Sequence, residues 1–275
     1  MHPELTVDDA QLGVELARNA GELLQRFRAG FVAPAGSDAK AAARALRDAA
    51  DAESQRYLGA ELSGRRPDDA VLSEEAADSA RRDTADRVWI IDPLDGTWEY
   101  GLGRDDWAVH VALWQRQPEP NGGLLLGVVA IPDEGVVFTS AAPPKLPPPE
   151  LGRPLRIIAS RSRPPAMLAA VAERLADAWR ELGGVAEAEI VQVGSVGAKV
   201  GRLLTGRAEV YLHDTGFYEW DVAAPLAVAN AAGLRTTHID GAEVTFNHRP
   251  PYVSNLLVAR PEVADAVAAA VAEQA

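Results

Sequence analysis

The segment Asp92-Pro93-Leu94-Asp95-Gly96-Thr97 places two carboxylates, a glycine and a hydroxyl next to one another. Hard divalent cations prefer such oxygen ligands, and the backbone N–H groups of a tight turn can hold a phosphate. The segment follows the apolar run Val88-Trp89-Ile90-Ile91, which predicts a buried strand. Because Pro93 cannot donate a hydrogen bond to a sheet and disfavours helix at the preceding residue, we predict that this strand ends at Asp92.

Further acids stand at similar places in the sequence. Glu74 and Glu75 follow the short apolar run Ala70-Val71-Leu72, and Asp221 stands at a predicted helix start. Acids at strand ends and helix starts are also typical of solvated loops and helix caps. Taken alone, Glu74 and Glu75 fit the structural explanation better, whereas Asp221 fits a cap and a cation ligand equally well. The Asp92–Thr97 segment, with its proline, glycine and threonine, favours a functional site.

The composition limits the possible partners. The chain has 275 residues, a formal net charge of −13 and no cysteine. The acidic balance argues against a nucleic-acid polymer as the main partner, and disulfides, thiolate catalysis and cysteine-based zinc sites are excluded. The first residues lack the basic and apolar parts of a signal peptide, and no apolar stretch approaches the roughly 20 residues that cross a bilayer. We therefore expect a soluble cytoplasmic protein without a membrane partner.

Hydrophobic periodicity predicts the elements that position these acids. In the first half we predict helices at 8–30 and 40–62, and strands at 70–72, 88–91, 107–114, 124–131 and 135–139, the last three as an antiparallel meander. In the second half we predict strands at 155–159, 189–193, 208–212, 234–238 and 255–259, with helices at 164–182, 196–204 and 220–232 and a closing helix.

The two halves differ in their pattern. Residues 140–154 contain six prolines and predict a linker between them. The first half is typical of an α+β fold and the second of an α/β fold, so the chain as a whole is α/β. We predict an α+β metal-binding domain over 1–145 and an α/β substrate domain over 146–275.

The sequence resembles the inositol monophosphatase superfamily of metal-dependent phosphatases. The resemblance is carried by Trp89–Thr97, by Glu219-Trp220-Asp221-Val222-Ala223-Ala224-Pro225 and by Ser73-Glu74-Glu75, in this family's order and spacing. It implies a layered α/β/α/β/α sandwich of the inositol monophosphatase and fructose-1,6-bisphosphatase type. It also implies a phosphoric monoester hydrolase that uses Mg²⁺, two or three ions, and is sensitive to Li⁺.

The resemblance assigns roles to the matching residues. The metal ligands would be Glu74, Asp92, the Leu94 carbonyl, Asp95 and Asp221. Gly96 and Thr97 would hold the scissile phosphate, and Thr97 would help orient the attacking water while Glu74 or a partner acid accepts its proton. The family's upstream Asp, which assists the threonine, matches Asp51 best by spacing, with Asp48 as the competitor.

The substrate is predicted from weaker signals. Trp98-Glu99-Tyr100 and the segment 103–110 resemble the actinobacterial CysQ-type 3'-phosphoadenosine 5'-phosphate phosphatases of sulfur assimilation, which implies removal of the 3'-phosphate. Ser195 and Lys199, four apart near a helix N-terminus, could hold the second phosphate, and Glu219 a substrate hydroxyl. The alternatives are an inositol-1-phosphate or fructose-1,6-bisphosphate phosphatase, or a non-catalytic phosphometabolite-binding protein. The resemblance also allows a homodimer.

Overall fold

The computed structural model describes residues 5–117, 121–161 and 163–274. Its helices are α1 (Val7–Gly30), α2 (Ala39–Arg65), α3 (Thr97–Gly101), α4 (Leu168–Glu181), α5 (Val196–Leu204), α6 (Glu219–Ala231) and α7 (Ala264–Ala272). Its strands are β1 (Ala70–Ser73), β2 (Arg87–Asp95), β3 (Ala108–Gln115), β4 (Gly123–Ile131), β5 (Val136–Thr139), β6 (Leu155–Ala159), β7 (Ala188–Gln192), β8 (Val210–His213), β9 (Phe217–Tyr218), β10 (Arg235–Thr237), β11 (Tyr252–Val253) and β12 (Leu256–Ala259).

The first sheet has the strand order β1-β2-β3-β4-β5. β1 runs parallel to β2, β3 to β5 form the predicted antiparallel meander, and β2 joins it antiparallel to β3. Alternate residues of β2 face opposite ways, as the period of a strand requires. Trp89 and Ile91 pack in the core formed with α1 and α2, whereas Val88 and Ile90 pack in the core formed with α5 and α6.

The second sheet has the order β10-β12-β8-β6-β7. β6 is parallel to both β7 and β8, and β12 is antiparallel to β8 and β10, which gives a mixed sheet. One face packs against α5 and α6, and the other packs against α4 and α7. Two helices, a sheet, two helices, a sheet and two helices therefore follow one another, and the predicted layered α/β/α/β/α sandwich is confirmed.

β2 differs from its prediction in an informative way. The strand does not end at Asp92 but continues to Asp95. Its pairing with β3 shifts register between Asp92 and Asp95, so that Asp92 faces His110 and Asp95 faces Ala108. This irregularity accommodates Pro93 inside the strand, since a bulge leaves a residue without a ladder hydrogen bond. The prediction that proline ends the strand was wrong.

The proline-rich segment 140–154, all of it described, forms neither helix nor strand. The helical layer joins the two halves of the chain, because α6 from the second half packs on β2, β3 and β4 of the first. The boundary between 145 and 146 stays a prediction. Among the described residues, no helix has both the length and the apolar character that crossing a bilayer demands.

Candidate metal centre and active site

Three carboxylates meet where the end of β2 lies beside the start of α6. Each of Asp92, Asp95 and Asp221 offers an oxygen within 4.8 Å of the others. Asp92 and Asp95 come from the irregular end of β2, and Asp221 from the first turn of α6. Glu74 follows β1, which runs parallel to β2 with Ser73 beside Ile91, so the chain brings Glu74 next to Asp92. Four of the predicted ligands therefore converge from separate parts of the sequence.

Burial first, and then the charges of neighbouring acids, raise the pKa of Asp221, Glu74 and Asp92. Burial raises the pKa of Asp221 to about 8, and the charge of Asp95 adds to the shift. Desolvation raises the pKa of Glu74 to about 7, with further contributions from Glu75, Asp95 and Asp51. The pKa of the buried Asp92 is raised well above its usual value, first by desolvation and then by Glu74 and Asp95. Acids this crowded are stable as anions only when cations neutralise them.

The donor set fits a hard divalent cation. Asp92 Oδ1 accepts a hydrogen bond from the Leu94 N–H at 3.0 Å, but the buried Asp92 Oδ2 receives none from the described residues. Asp95 Oδ2 accepts the Gly197 N–H at 3.0 Å and lies 3.2 Å from His110 Nε2. Each aspartate thus has one oxygen held by the protein, and the orphaned Asp92 oxygen is free to bind a metal. Carboxylate and carbonyl oxygens suit Mg²⁺ better than softer ions.

The Gly96–Thr97 turn is shaped by its glycine. Gly96 has a φ of +83°, and a Cβ there would lie 3.0 Å from Ser195 Cβ. Both facts favour glycine, because other residues adopt this conformation at a cost and would crowd the neighbouring loop. Thr97 begins α3, and its Oγ1 donates to the Leu94 carbonyl at 3.1 Å. The predicted carbonyl ligand and the predicted threonine are therefore in direct contact.

The structure distinguishes the two candidates for the upstream acid. Asp48 is exposed and pairs with Arg44 at 3.6 Å along α2. Asp51 lies one helical turn further on, where desolvation and the charges of Glu75 and Asp48 raise its pKa to about 7. It also contributes to the raised pKa of Glu74. Asp51 thus belongs to the acidic site, and Asp48 faces solvent.

This difference gives a matched pair of variants. We expect Asp51→Asn to lower kcat by about 10- to 100-fold, the usual cost of losing a group that supports metal ligands. Asp48→Asn, on the same helix but exposed, should stay within about twofold of the wild type, because surface substitutions change little. Steady-state phosphate release by both purified variants checks this. Equal losses would show that the charge of α2 matters rather than the position of Asp51.

A cavity of about 600 Å³ opens beside the acids. Asp95, Asp221, Gly96, Ser195 and Lys199 are among the residues that line it. The Ser195 hydroxyl caps α5 by accepting the Ala198 N–H at 2.9 Å.

Lys199, only 6% exposed, donates from Nζ to the Gly194 carbonyl, and its ammonium lies 5.4 Å from the centre of the Tyr211 ring. Desolvation lowers its pKa, although Asp95 and Glu99 partly oppose the shift. A buried ammonium of this kind needs a nearby anion.

Glu219 has a different place from the one predicted. It is fully buried, and its two carboxylate oxygens accept the backbone N–H groups of Asn247 and His248 at 2.6 and 2.7 Å. Desolvation raises its pKa to about 7 despite these hydrogen bonds. It is not among the described residues that line the cavity. The assignment of Glu219 to a substrate hydroxyl therefore finds no support in the geometry, because its acceptors already serve the 247–248 loop.

Asp106 organises the cavity wall and was not predicted to do so. Its carboxylate accepts hydrogen bonds from Arg104 at 2.9 Å, Arg161 at 3.3 Å and the Gly194 N–H at 2.7 Å. Arg161 also donates to Glu99 at 2.8 Å. Burial alone would raise the pKa of Asp106, but these donors hold it below its usual value. In the sequence, the only signal that includes Asp106 is the resemblance of the 103–110 segment to known phosphatases.

Known proteins resemble this chain along nearly its whole length. A Mycobacterium bovis protein named 3'-phosphoadenosine 5'-phosphate phosphatase is 40% identical over 265 residues, covering 93% of this chain and 90% of its own. An Escherichia coli protein named 3'(2'),5'-bisphosphate nucleotidase CysQ is 30% identical over 241 residues, covering 87% and 94%.

The fold has solved counterparts. The crystal structure of CysQ from Bacteroides thetaiotaomicron, described as a bacterial member of the inositol monophosphatase family, superposes with a TM-score of 0.70 at 23% identity, covering 92% of this chain and 97% of that one. Residues 7–275, which include every acid of the site, match the inositol monophosphatase family. The layered fold, the converging acids and these matches agree, and the chain is a member of the inositol monophosphatase family, whose members are metal-dependent phosphatases.

Proposed function

We propose that the protein is a Mg²⁺-dependent phosphatase that removes the 3'-phosphate of 3'-phosphoadenosine 5'-phosphate and releases AMP and phosphate. One observation carries the proposal: a single cavity combines an acidic cluster with a separate set of cations, Lys199, Arg161 and Arg163. The acids suit the metal ions that act on one phosphate, and the cations suit a second one. The names of the relatives at 40% and 30% identity point to the same substrate class.

The chain supplies most of what the reaction needs besides the metal. Bound Mg²⁺ would lower the pKa of the attacking water and neutralise the phosphate oxygens. Glu74, Asp92, Asp95, Asp221 and the Leu94 carbonyl would hold the ions, and the turn at Gly96 and Thr97 would offer N–H groups to the phosphate. Glu74, whose pKa of about 7 lies close to neutrality, is well suited to accept the proton of the water. Asp51 would assist Thr97, which is the role that the family resemblance gives to the upstream Asp.

A second phosphate on the substrate would account for the cations Lys199, Arg161 and Arg163, which together form the cationic wall of the cavity. Lys199 is buried beside the cavity, and Arg161 is held towards it by Glu99 and Asp106. A fixed guanidinium and a desolvated ammonium bind phosphate more strongly than mobile surface groups. A substrate with one phosphate, such as inositol-1-phosphate, would bring no second anion to these cations, which favours a bisphosphate.

The proposal extends to the biology that the family resemblance implies. We expect the enzyme to work in the cytoplasm during sulfate assimilation, to accept 3'-phosphoadenylyl sulfate as a second substrate and to be inhibited by Li⁺. Fructose-1,6-bisphosphate also carries two phosphates, so the cationic wall alone does not distinguish it from the nucleotide. Inositol-1-phosphate, fructose-1,6-bisphosphate and a purely binding role remain the alternatives.

Phosphate release from a panel of esters tests the proposal. The panel contains 3'-phosphoadenosine 5'-phosphate, inositol-1-phosphate and fructose-1,6-bisphosphate, each assayed with Mg²⁺ and with a chelator. We expect the nucleotide to have the highest kcat/KM, and to exceed inositol-1-phosphate by about tenfold or more because it fills both the metal site and the cationic wall. Preference for the inositol or sugar ester would contradict the substrate, and no release from any ester would favour the binding protein.

A further inference from the structure

The exposed aromatic side chains of the described residues lie around one opening. They are Trp98, Tyr218 and Tyr252, which are 55%, 50% and 50% exposed. All three line the cavity that contains the acids. Large aromatic side chains are usually buried, and exposed ones grouped at a cavity indicate a binding surface. A phosphate and its metals need no aromatic partner, so this group has a separate purpose.

Two of the rings are held in place by their neighbours. Tyr218 and Tyr252 face each other across the β9–β11 pair, with ring centres 6.2 Å apart at 82°. Tyr218 also stacks on Trp220, with ring centres 4.7 Å apart and planes 11° from parallel. A Cβ at Gly216 would lie 1.5 Å from the Tyr252 hydroxyl, so the glycine leaves the space that this ring occupies. The two tyrosines therefore form a rigid surface beside Asp221.

The third ring stands on the other element of the site. Trp98 directly follows Thr97 in α3, and the guanidinium of Arg47 lies 4.8 Å from its ring centre. Such a cation against the indole restrains it while more than half of the residue stays exposed. Aromatic surface is thus present both next to the phosphate turn and next to the helix that carries Asp221.

We propose that Trp98, Tyr218 and Tyr252 bind the nucleobase of the substrate, an inference that rests on the proposed nucleotide phosphatase activity. A purine has two flat π faces and stacks on aromatic side chains with little dependence on its hydrogen-bonding groups. Inositol and sugar phosphates have no such face and gain nothing comparable. The three rings would therefore determine selectivity for nucleotides, in addition to the cationic wall that recognises their second phosphate.

Kinetics with two substrates test the inference. Tyr218→Ala, Tyr252→Ala and Trp98→Ala are compared on 3'-phosphoadenosine 5'-phosphate and on glycerol 2-phosphate, which has no base. We expect each substitution to raise KM for the nucleotide by about tenfold, the effect of losing one stacking partner, with kcat nearly unchanged. The rate on glycerol 2-phosphate should stay within about twofold. Tyr218→Phe, which keeps the ring, should retain nucleotide binding, and Leu182→Ala, an exposed residue outside the cavity lining, should change neither substrate.

A binding measurement separates this inference from the proposed function. Titration of 5'-AMP into the wild type in Mg²⁺ should quench tryptophan fluorescence, and Trp98→Phe should lose most of the quench. If the wild type binds 5'-AMP in this way but does not hydrolyse the bisphosphate, the proposed function fails and the base site stands. Equal losses on both substrates, no quench, or a change in oligomeric state in the alanine variants would overturn the base site, the last by indicating a protein interface.

Discussion

Asp95→Asn should abolish phosphate release and at the same time raise the melting temperature of the metal-free protein. Asp95 lies within 4.8 Å of Asp92 and Asp221, and its charge contributes to the raised pKa of Glu74, Asp92 and Asp221. A metal ion contributes several kcal/mol to the reaction, so loss of a central ligand should lower kcat by at least about 10³-fold. The neutral amide removes repulsion from the ion-free cluster while its oxygen can still accept the Gly197 N–H.

The two readouts together identify a metal site. Phosphate release in Mg²⁺ gives the first, and thermal unfolding in a chelator gives the second. Asp105→Asn is the matched control, since Asp105 is exposed and should change neither quantity by much. Retained activity in Asp95→Asn would exclude this cluster as the reaction centre. Loss of activity together with a lower melting temperature would indicate that Asp95 maintains the fold instead.

Without metal, the protein should become less stable as the pH rises from about 6.5 to about 8.5. Glu74, Asp51 and Asp221 have pKa values of about 7, 7 and 8 in the folded protein, whereas unfolded carboxyls titrate near pH 4. Between these values the folded state binds more protons than the unfolded state, so the free energy of unfolding falls as the pH rises. The stabilisation that these three protonated carboxyls give the folded protein is complete below about pH 4. It falls as the pH rises and is gone once the pH has passed through 7 to 8.

Mg²⁺ should oppose this loss of stability. Cations bind the ionised carboxylates, so metal binding releases protons and strengthens with pH. The increase in melting temperature caused by Mg²⁺ should therefore be larger at pH 8.5 than at pH 6.5. His213, whose pKa is lowered to about 4 chiefly by burial, acts in the opposite sense, but only below about pH 6.5.

Differential scanning fluorimetry in Mg²⁺ and in a chelator across this range checks both slopes. In the chelator, Asp221→Asn should make the melting temperature fall less steeply with pH. The substitution removes the carboxyl with the highest of the three pKa values, and with it the repulsion between its charge and the other acids. A melting temperature that rises with pH in the chelator, or a stabilisation by Mg²⁺ that does not depend on pH, would contradict the raised pKa values of the acidic cluster. The same measurement on the wild type at several Mg²⁺ concentrations gives an apparent affinity.

Much of the fold followed from local pattern. Long amphipathic helices such as α1 and the alternating strands of the meander carry strong periodic signals, and their predicted ranges lie close to the observed ones. The end of β2 was misjudged because a bulge, which depends on pairing with β3, is invisible in the sequence of one strand. The short β9–β11 pair was missed because its two-residue strands are far apart in sequence and carry no periodicity.

The site was predicted unevenly for similar reasons. Asp92 and Asp95 share one short segment, so their types and spacing are enough to predict a cation site. Asp51 and Asp48 are both acids of one helix, and only the packing of α2 distinguishes the half-buried Asp51 from the exposed Asp48. Glu219 lies close to Asp221 in sequence but points to a loop almost thirty residues away, which no local pattern reveals.

The packing of helix α6 determines which parts of this enzyme can vary in sequence without disturbing the acidic site. Asp221 stands in its first turn, while its body packs on β2, β3 and β4, the sheet that carries Asp92 and Asp95. The separation between the acids is therefore set by apolar packing, not by the chain that joins the two halves. The proline-rich segment 140–154 is itself held to the second half, where Arg260 donates to the Pro147 carbonyl and Arg153 pairs with Glu209, so changes that keep these contacts should leave Asp221 beside its partners.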